Sequence, residues 1–276
     1  MKQVTALCIL GPDDLCWELY ERYKDKVPKE CQKIGRYTGG QLNLWLMPDS
    51  PELKEAIAFA EEHKMIPRYF SATFFSPKET REAPFFHMEY VPYPLELEGS
   101  NSSKYGTKYA GGCPICGQGK KAIGDVLVDR KFMKKYQIGN LSREYFVSDR
   151  VRILLEESDL TGFRIGSQIK DYKGREMAPY YVLEIDSVLP PLSKSTWLES
   201  EGLEPCGHPW TLYNRSDLRY EKEKLISAKD FNCTQEELNN YHTHDIIVSA
   251  KARAFFKENK IYARFVPLTI LEDTQP

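Results

Sequence analysis

Val147-Ser148-Asp149-Arg150-Val151-Arg152-Ile153-Leu154-Leu155-Glu156-Glu157 and, 101 residues later, Val248-Ser249-Ala250-Lys251-Ala252-Arg253-Ala254-Phe255-Phe256-Lys257-Glu258 spell one physical pattern twice. Only four of the eleven positions are identical, so the resemblance lies in the pattern of residue types. In each copy an apolar run ends at a serine placed to cap a helix. Val151, Leu154 and Leu155, and likewise Ala252, Phe255 and Phe256, then fall at i, i+3, i+4 and draw one apolar stripe along each helix. Leu160 to Ile165 and Ile261 to Val266 resume strand-like alternation. The unit is strand, cap, helix, strand. A helix with one apolar stripe must cover it, so the copies are expected to share a sheet or pack against each other. The expected class is α+β: mixed sheets with helices, an internally duplicated strand-helix-strand unit and a zinc-knuckle insertion.

Upstream, the chain reads as a separate α+β portion over residues 1–95, followed by the knuckle and the duplicated unit over 96–276. The apolar run up to Leu10 stops at Gly11-Pro12-Asp13-Asp14 and reads as a first strand. Cys16 to Tyr23 has helical spacing, and Leu42 to Met47 alternates like a strand with one buried face. Ser50-Pro51-Glu52 opens a helix through Leu53, Ile57 and Ala60: a cap, a proline at the first position and an acid at the positive end of the dipole. Ile66 to Phe75 returns as a strand. From Ser76 to Gly112 four prolines and the run Glu98-Gly99-Ser100-Asn101-Ser102-Ser103 read as linker or insertion loop, with a boundary near residue 96.

Gly111-Gly112-Cys113-Pro114-Ile115-Cys116-Gly117 is the stretch that carries chemistry. Two thiolates two residues apart bind one tetrahedral ion when the turn between them is tight; Pro114 stiffens it, and Gly117 lets backbone amides face the sulfurs. The partner half is expected at Pro205-Cys206-Gly207-His208, where Cys206-Gly207 mirrors Cys116-Gly117. The candidate ligands of a closed, structural zinc site are therefore Cys113, Cys116, Cys206 and His208, with Cys233, His242, His244 or a water as alternatives for the fourth. A redox pair needs a thiolate at a helix N-terminus, and Gly117-Gln118-Gly119 is a poor first turn. A phosphate loop fails because Pro114 stands where its glycine belongs.

Tyr241-His242-Thr243-His244-Asp245 places two histidines on one face of a strand and resembles the start of a metal-dependent hydrolase site using His242, His244 and Asp245. Too few other histidines remain to complete it, and a surface strand with two solvated histidines is the expected reading. Nucleophile-elbow, zincin and dinucleotide motifs are absent. The 38 basic and 40 acidic side chains give a net charge of -2, which supplies no footprint for nucleic acid. Lys120, Lys121, Arg130, Lys131, Lys134 and Lys135 form the one dense basic segment that a zinc-stabilised nucleic-acid module would use. No run reaches the ~18–20 apolar residues of a membrane span. Seven irregularly spaced cysteines without a leader point to reduced thiols and a cytoplasmic protein.

Taken together, the knuckle from Cys113 to Gly117, the second Cys206-Gly207, and Phe146-Val147-Ser148-Asp149-Arg150-Val151 followed by Leu160-Thr161-Gly162-Phe163 resemble the double-CXXCG family, a paralogous set best represented in myxobacteria. The similarity spans roughly residues 105–215. Ile246-Ile247-Val248-Ser249 is similar to the strand-serine-helix phrase of bacterial immunity proteins. The resemblance implies Cys113, Cys116 and Cys206 as ligands; Leu203 stands where the second motif has its first cysteine, which makes His208 the substitute. It further implies a non-catalytic bacterial protein that binds and neutralises a partner toxin.

Overall fold

A computed structural model describes residues 2–29, 31, 37–38, 40–90, 108–133, 136–141, 144–238 and 243–272. They fall into two units, Met1–Arg81 with Arg215–Asp217, and Glu82–Asn214 with Leu218–Pro276.

The first unit runs β1 (Lys2–Leu10), α1 (Asp13–Tyr23), β2 (Tyr37–Thr38), β3 (Gln41–Leu46), α2 (Pro51–Glu62) and β4 (Ile66–Phe74), with sheet order β2-β3-β1-β4 and every pairing antiparallel. The alternation of β3 is visible in its burial: Leu42, Leu44 and Leu46 are inside. They meet Cys16, Leu19 and Tyr23 of α1 and Leu53, Ala56, Phe59 and Ala60 of α2 in one core. Ser50 caps α2 by accepting the Leu53 N–H at 3.2 Å, with Pro51 in the first turn where a missing donor costs nothing. The Tyr23 hydroxyl donates to Glu55 at 3.1 Å and joins the two helices. Residues 215–217 attach at β4, where the Ser71 N–H donates to the Arg215 carbonyl and the Arg215 guanidinium covers the Phe70 ring.

Helix α3 (Pro77–Glu82) leads out of this unit. The second contains β5 (Phe85–Tyr90), β6 (Lys108–Ala110), β7 (Lys121–Ile123), β8 (Leu127–Val128), α4 (Arg130–Met133), β9 (Ile138–Leu141), β10 (Glu144–Ser148), α5 (Asp149–Glu156), β11 (Phe163–Gln168), β12 (Lys170–Asp171) and β13 (Tyr180–Ile185). It continues with β14 (Leu198–Leu203), β15 (Pro209–Asn214), β16 (Arg219–Glu221), β17 (Phe231–Leu238), β18 (Thr243–Ser249), α6 (Ala250–Glu258), β19 (Arg264–Pro267) and β20 (Thr269–Leu271). Antiparallel sheets coexist with two parallel pairs, β12 with β8 and β16 with β20, so the class is α+β with mixed sheets.

The duplication is built into two matching four-stranded sheets, β9-β10-β13-β11 and β17-β18-β5-β19. Ser148 Oγ accepts the Val151 N–H at 3.4 Å, and Ser249 Oγ accepts the Ala252 N–H at 3.1 Å. The first helical amides, Asp149 and Ala250, both donate to a proline carbonyl ahead of the neighbouring strand, Pro179 at 3.1 Å and Pro84 at 2.8 Å. The two helices are also tied reciprocally. Arg150 of α5 donates to the Asn259 carbonyl at the end of α6 (2.9 Å), and Lys251 of α6 donates to the Asp159 carbonyl just past α5 (3.1 Å). Cations at carbonyl-rich helix ends are favourable, and here each helix supplies the other's. Val151, Leu155, Ala252 and Phe256 are buried in one core with Phe86, Val147, Phe231 and Val248. The copies therefore pack against each other, each in its own sheet.

Strand β5 lies inside the stretch that reads in sequence as connection. It holds the place in the second copy that β13 holds in the first: Phe85 is opposite Ser249 as Tyr180 is opposite Ser148. In the first copy that strand follows the helix; in the second it precedes the whole duplicated region. Flanking prolines and a partner about 160 residues away hide it from local pattern. Gly162, at φ +92, lies so close to β17 that a Cβ there would meet the Phe231 carbonyl oxygen at 2.0 Å.

Because both caps satisfy otherwise orphaned helical amides, Ser148→Ala should destabilise the chain by about 1 kcal/mol. Ser249→Ala should cost more, because the Ser249 hydroxyl also donates to Asp230 at 2.7 Å; urea unfolding of the two single variants is the check.

Candidate metal centre

Strands β6 and β7 form a ribbon whose connecting turn, residues 111–120, carries Cys113 and Cys116. The turn is closed by Cys113 N–H to Gln118 O (2.7 Å), Gly117 N–H to Cys113 O (2.8 Å) and Lys120 N–H to Gly117 O (3.2 Å). At Gly112 only glycine fits: φ is +65, and a Cβ would stand 2.3 Å from the Gln118 carbonyl oxygen. The other half sits at the tip of the β14–β15 hairpin, where Leu203 pairs with Pro209. There Glu204 N–H donates to His208 O and Gly207 N–H to Glu204 O, both at 2.8 Å, which turns Cys206 and His208 to the same side. Gly207, at φ +83, makes that turn possible.

The donor atoms of Cys113, Cys116, Cys206 and His208 all lie within 4.8 Å of one another, and each residue is half-buried. His208 Nδ1 is 3.3 Å from the Cys116 sulfur and 3.5 Å from the Cys206 sulfur. A tetrahedral ion with metal–sulfur and metal–nitrogen bonds of about 2.3 and 2.0–2.1 Å requires a sulfur–nitrogen edge of about 3.6 Å. The two short edges lie within about 0.3 Å of that value. The four residues fit a metal ion and could hold one. Both short contacts involve Nδ1, so that is the nitrogen His208 presents to the cluster.

Electrostatics favour the charged ligand form at one position. The Cys116 and Ile115 amides directed at the Cys113 sulfur, with help from the Cys206 and Cys116 side chains, bring its thiol down to about 6. At Cys116 the Gln118 amide pulls downward, but burial and the neighbouring Cys206 and Cys113 sulfurs outweigh it and the thiol is raised. Three thiolates, a neutral imidazole and a divalent ion sum to one negative charge. The Lys120 Nζ lies against the knuckle, 2.7 Å from where a Gly117 Cβ would be.

The remaining candidates are placed elsewhere. Cys233 is buried on β17 opposite Ile246, and burial pushes its thiol up to about 11. His244 Nδ1 is 2.8 Å from the Thr234 carbonyl oxygen, and its Nε2 is 3.8 Å from Glu237 Oε1. Asp245, the next residue on β18, instead pairs with His87 Nε2 at 3.2 Å. Consecutive strand residues face opposite ways, so His244 and Asp245 do not converge on one ion. His242 lies outside the described residues. Of the basic segment, Arg130 donates to the Glu176 carbonyl, and Lys134 and Lys135 lie outside the described residues. Turns, not a helix, follow Cys116, so the redox-pair geometry is not formed. Sequence reading missed Glu237, whose carboxylate accepts the Gly119 N–H at 2.9 Å across 118 residues; no local signal could have linked them.

Among the described residues, no helix is long and apolar enough to cross a membrane. Compared with known proteins, the chain matches no family model and no curated sequence.

In the metal-free protein Cys113 should be the first cysteine alkylated by iodoacetamide, with a pH midpoint near 6. Peptide mass spectrometry across pH 5–9 reads this directly, and Cys233 should stay unmodified throughout that range.

Proposed function

We propose that this is a non-catalytic zinc-binding protein of the bacterial immunity type, which binds and neutralises a partner toxin. The observation that carries the zinc part is the convergence of three cysteine sulfurs and one imidazole nitrogen from two turns far apart in sequence. Three soft sulfur donors with one imidazole suit zinc, and four protein ligands would leave no open position for a substrate, as in structural sites. Zinc would bind to Cys113, Cys116, Cys206 and His208, and the chemistry it supplies is cross-linking: it ties the β6–β7 turn to the β14–β15 turn. The immunity part rests on the similarity of the Cys-Pro-Ile-Cys-Gly and Val-Ser-Asp-Arg phrases to the double-CXXCG family. A binding protein of this kind works by surface complementarity, and the metal's task is to keep that surface in one shape.

Metal analysis of chain purified without chelator or affinity tag should give one zinc per chain, and Cys113→Ser should lose it. At free zinc a thousandfold above Kd the bound ion adds roughly 4 kcal/mol of stability, so the variant should unfold at lower temperature. Zinc retained by Cys113→Ser would overturn the ligand assignment. For the partner, immobilised full-length chain should retain a single protein saturably from lysate of the producing cell, and that protein should be toxic when expressed alone. Catalytic turnover by the pure, partner-free chain would overturn the non-catalytic reading.

A further inference from the structure

The knuckle turn hangs from a ribbon with only three residues in each strand, too little to fix its position alone. Two carboxylates tether it to the body of its unit: Glu144 accepts the Ala122 N–H at 3.3 Å, and Glu237 accepts the Gly119 N–H at 2.9 Å. The Glu237 contact is the one inside the turn, three residues past Cys116. Glu237 belongs to β17, and β15, which starts directly after His208, packs beside β17. One side chain thus holds the first ligand pair against the strand that flanks the hairpin carrying the second.

The strand is shaped for this. Between Cys233 and Glu237 the β17–β18 register shifts, so Thr234, Gln235 and Glu236 stand opposite Asp245 alone. Thr234 Oγ1 accepts the Asp245 N–H (3.0 Å) and donates to the Glu236 carbonyl (2.8 Å), which fixes the bulge. A bulge re-aims the side chains that follow it, and Glu237 is the first of them. His244 faces the same carboxylate oxygen, with its ring held from behind by the Thr234 carbonyl. The Glu237 side chain is 8% exposed, so its direction is set by packing.

We propose that Glu237 is a positioning residue for the metal centre: it holds the Cys113–Cys116 turn in register with Cys206 and His208, and it transmits metal occupancy to the β17–β18 hairpin. This rests on the metal-binding reading above. Outer groups that orient ligands are typically worth 10–100-fold in metal affinity.

The test uses the full chain, with zinc and after chelation. Zinc affinity is read by competition with a chromophoric chelator, and hairpin order by hydrogen exchange of peptides covering 231–249. In the wild type, zinc should slow exchange in those peptides. Glu237→Ala should still bind one zinc, about 10-fold more weakly, with the zinc-dependent slowing lost. Glu237→Gln keeps an oxygen acceptor for Gly119 and should stay near wild type in both. Glu237→Leu fills the same space without an acceptor, and it replaces the alanine variant should that one fail to fold. An alanine or leucine variant with wild-type affinity and slowing overturns this inference alone, as does a glutamine variant as weak as the alanine one. A wild-type chain that takes no zinc overturns both this inference and the reading beneath it.

Discussion

Helices α5 and α6 have eight and nine residues, well below the ~12–15 that an isolated helix needs to persist in water. Their existence depends on burial of one apolar stripe each, and neither copy of the duplicated unit can provide that burial alone. The shared core around Val151, Leu155, Ala252 and Phe256 is the constraint from which the second unit follows. It forces the copies face to face. The exchange of cations, Arg150 to the end of α6 and Lys251 to the carbonyl past α5, then fixes how the helices lie against each other. The matched caps and matched proline carbonyls repeat the arrangement at each strand-to-helix corner.

The metal centre is an outgrowth of this body. Its two halves sit on two-stranded hairpins, β6–β7 and β14–β15, and such a hairpin is marginally stable at best by itself in water. A four-ligand ion is the kind of bond that compensates for a missing core. Cys116 and His208 are 92 residues apart in sequence, and a link across so long a loop removes a large share of the unfolded chain's freedom. The hydrogen bonds that close each turn, and the amides directed at the Cys113 sulfur, shape each half from its own backbone.

Two buried polar clusters in the second unit are satisfied by pairing within the fold. Asn232 is fully buried on β17; its amide nitrogen donates to the Lys229 and Ile247 carbonyls, while its oxygen accepts from Lys229 N–H and the Ser187 hydroxyl. That network is why an Asn-Cys-Thr triplet occurs in a core strand, where it has no access to a modifying enzyme. Asp171, fully buried, and Asp129 share the Arg175 guanidinium at the ends of the parallel pair β8 and β12. Burial disfavours the Asp171 charge, but the Lys173 amide and Arg175 outweigh it and hold its carboxyl below the usual range.

Much of this was legible in the residues. Serine caps at 50, 148 and 249, the helix stripes, the alternation of Leu42, Leu44 and Leu46, and the cysteine knuckle with its glycines are local patterns, and local backbone geometry obeys them. Spacing and the mirrored Cys-Gly also pointed to Cys113, Cys116, Cys206 and His208, the four residues whose donor atoms the fold brings together. What local pattern could not supply was pairing across distance. Strand β5 takes its meaning from partners about 160 residues away, Glu237 from a turn 118 residues before it, and Asp245 from His87. The sequence by itself determined the capped helix starts, the alternating strands and the knuckle turn, because propensity, capping and periodicity act within a few residues. Only the tertiary structure decided which segments meet, because that depends on how shared apolar surface is buried and which buried polar groups then find partners.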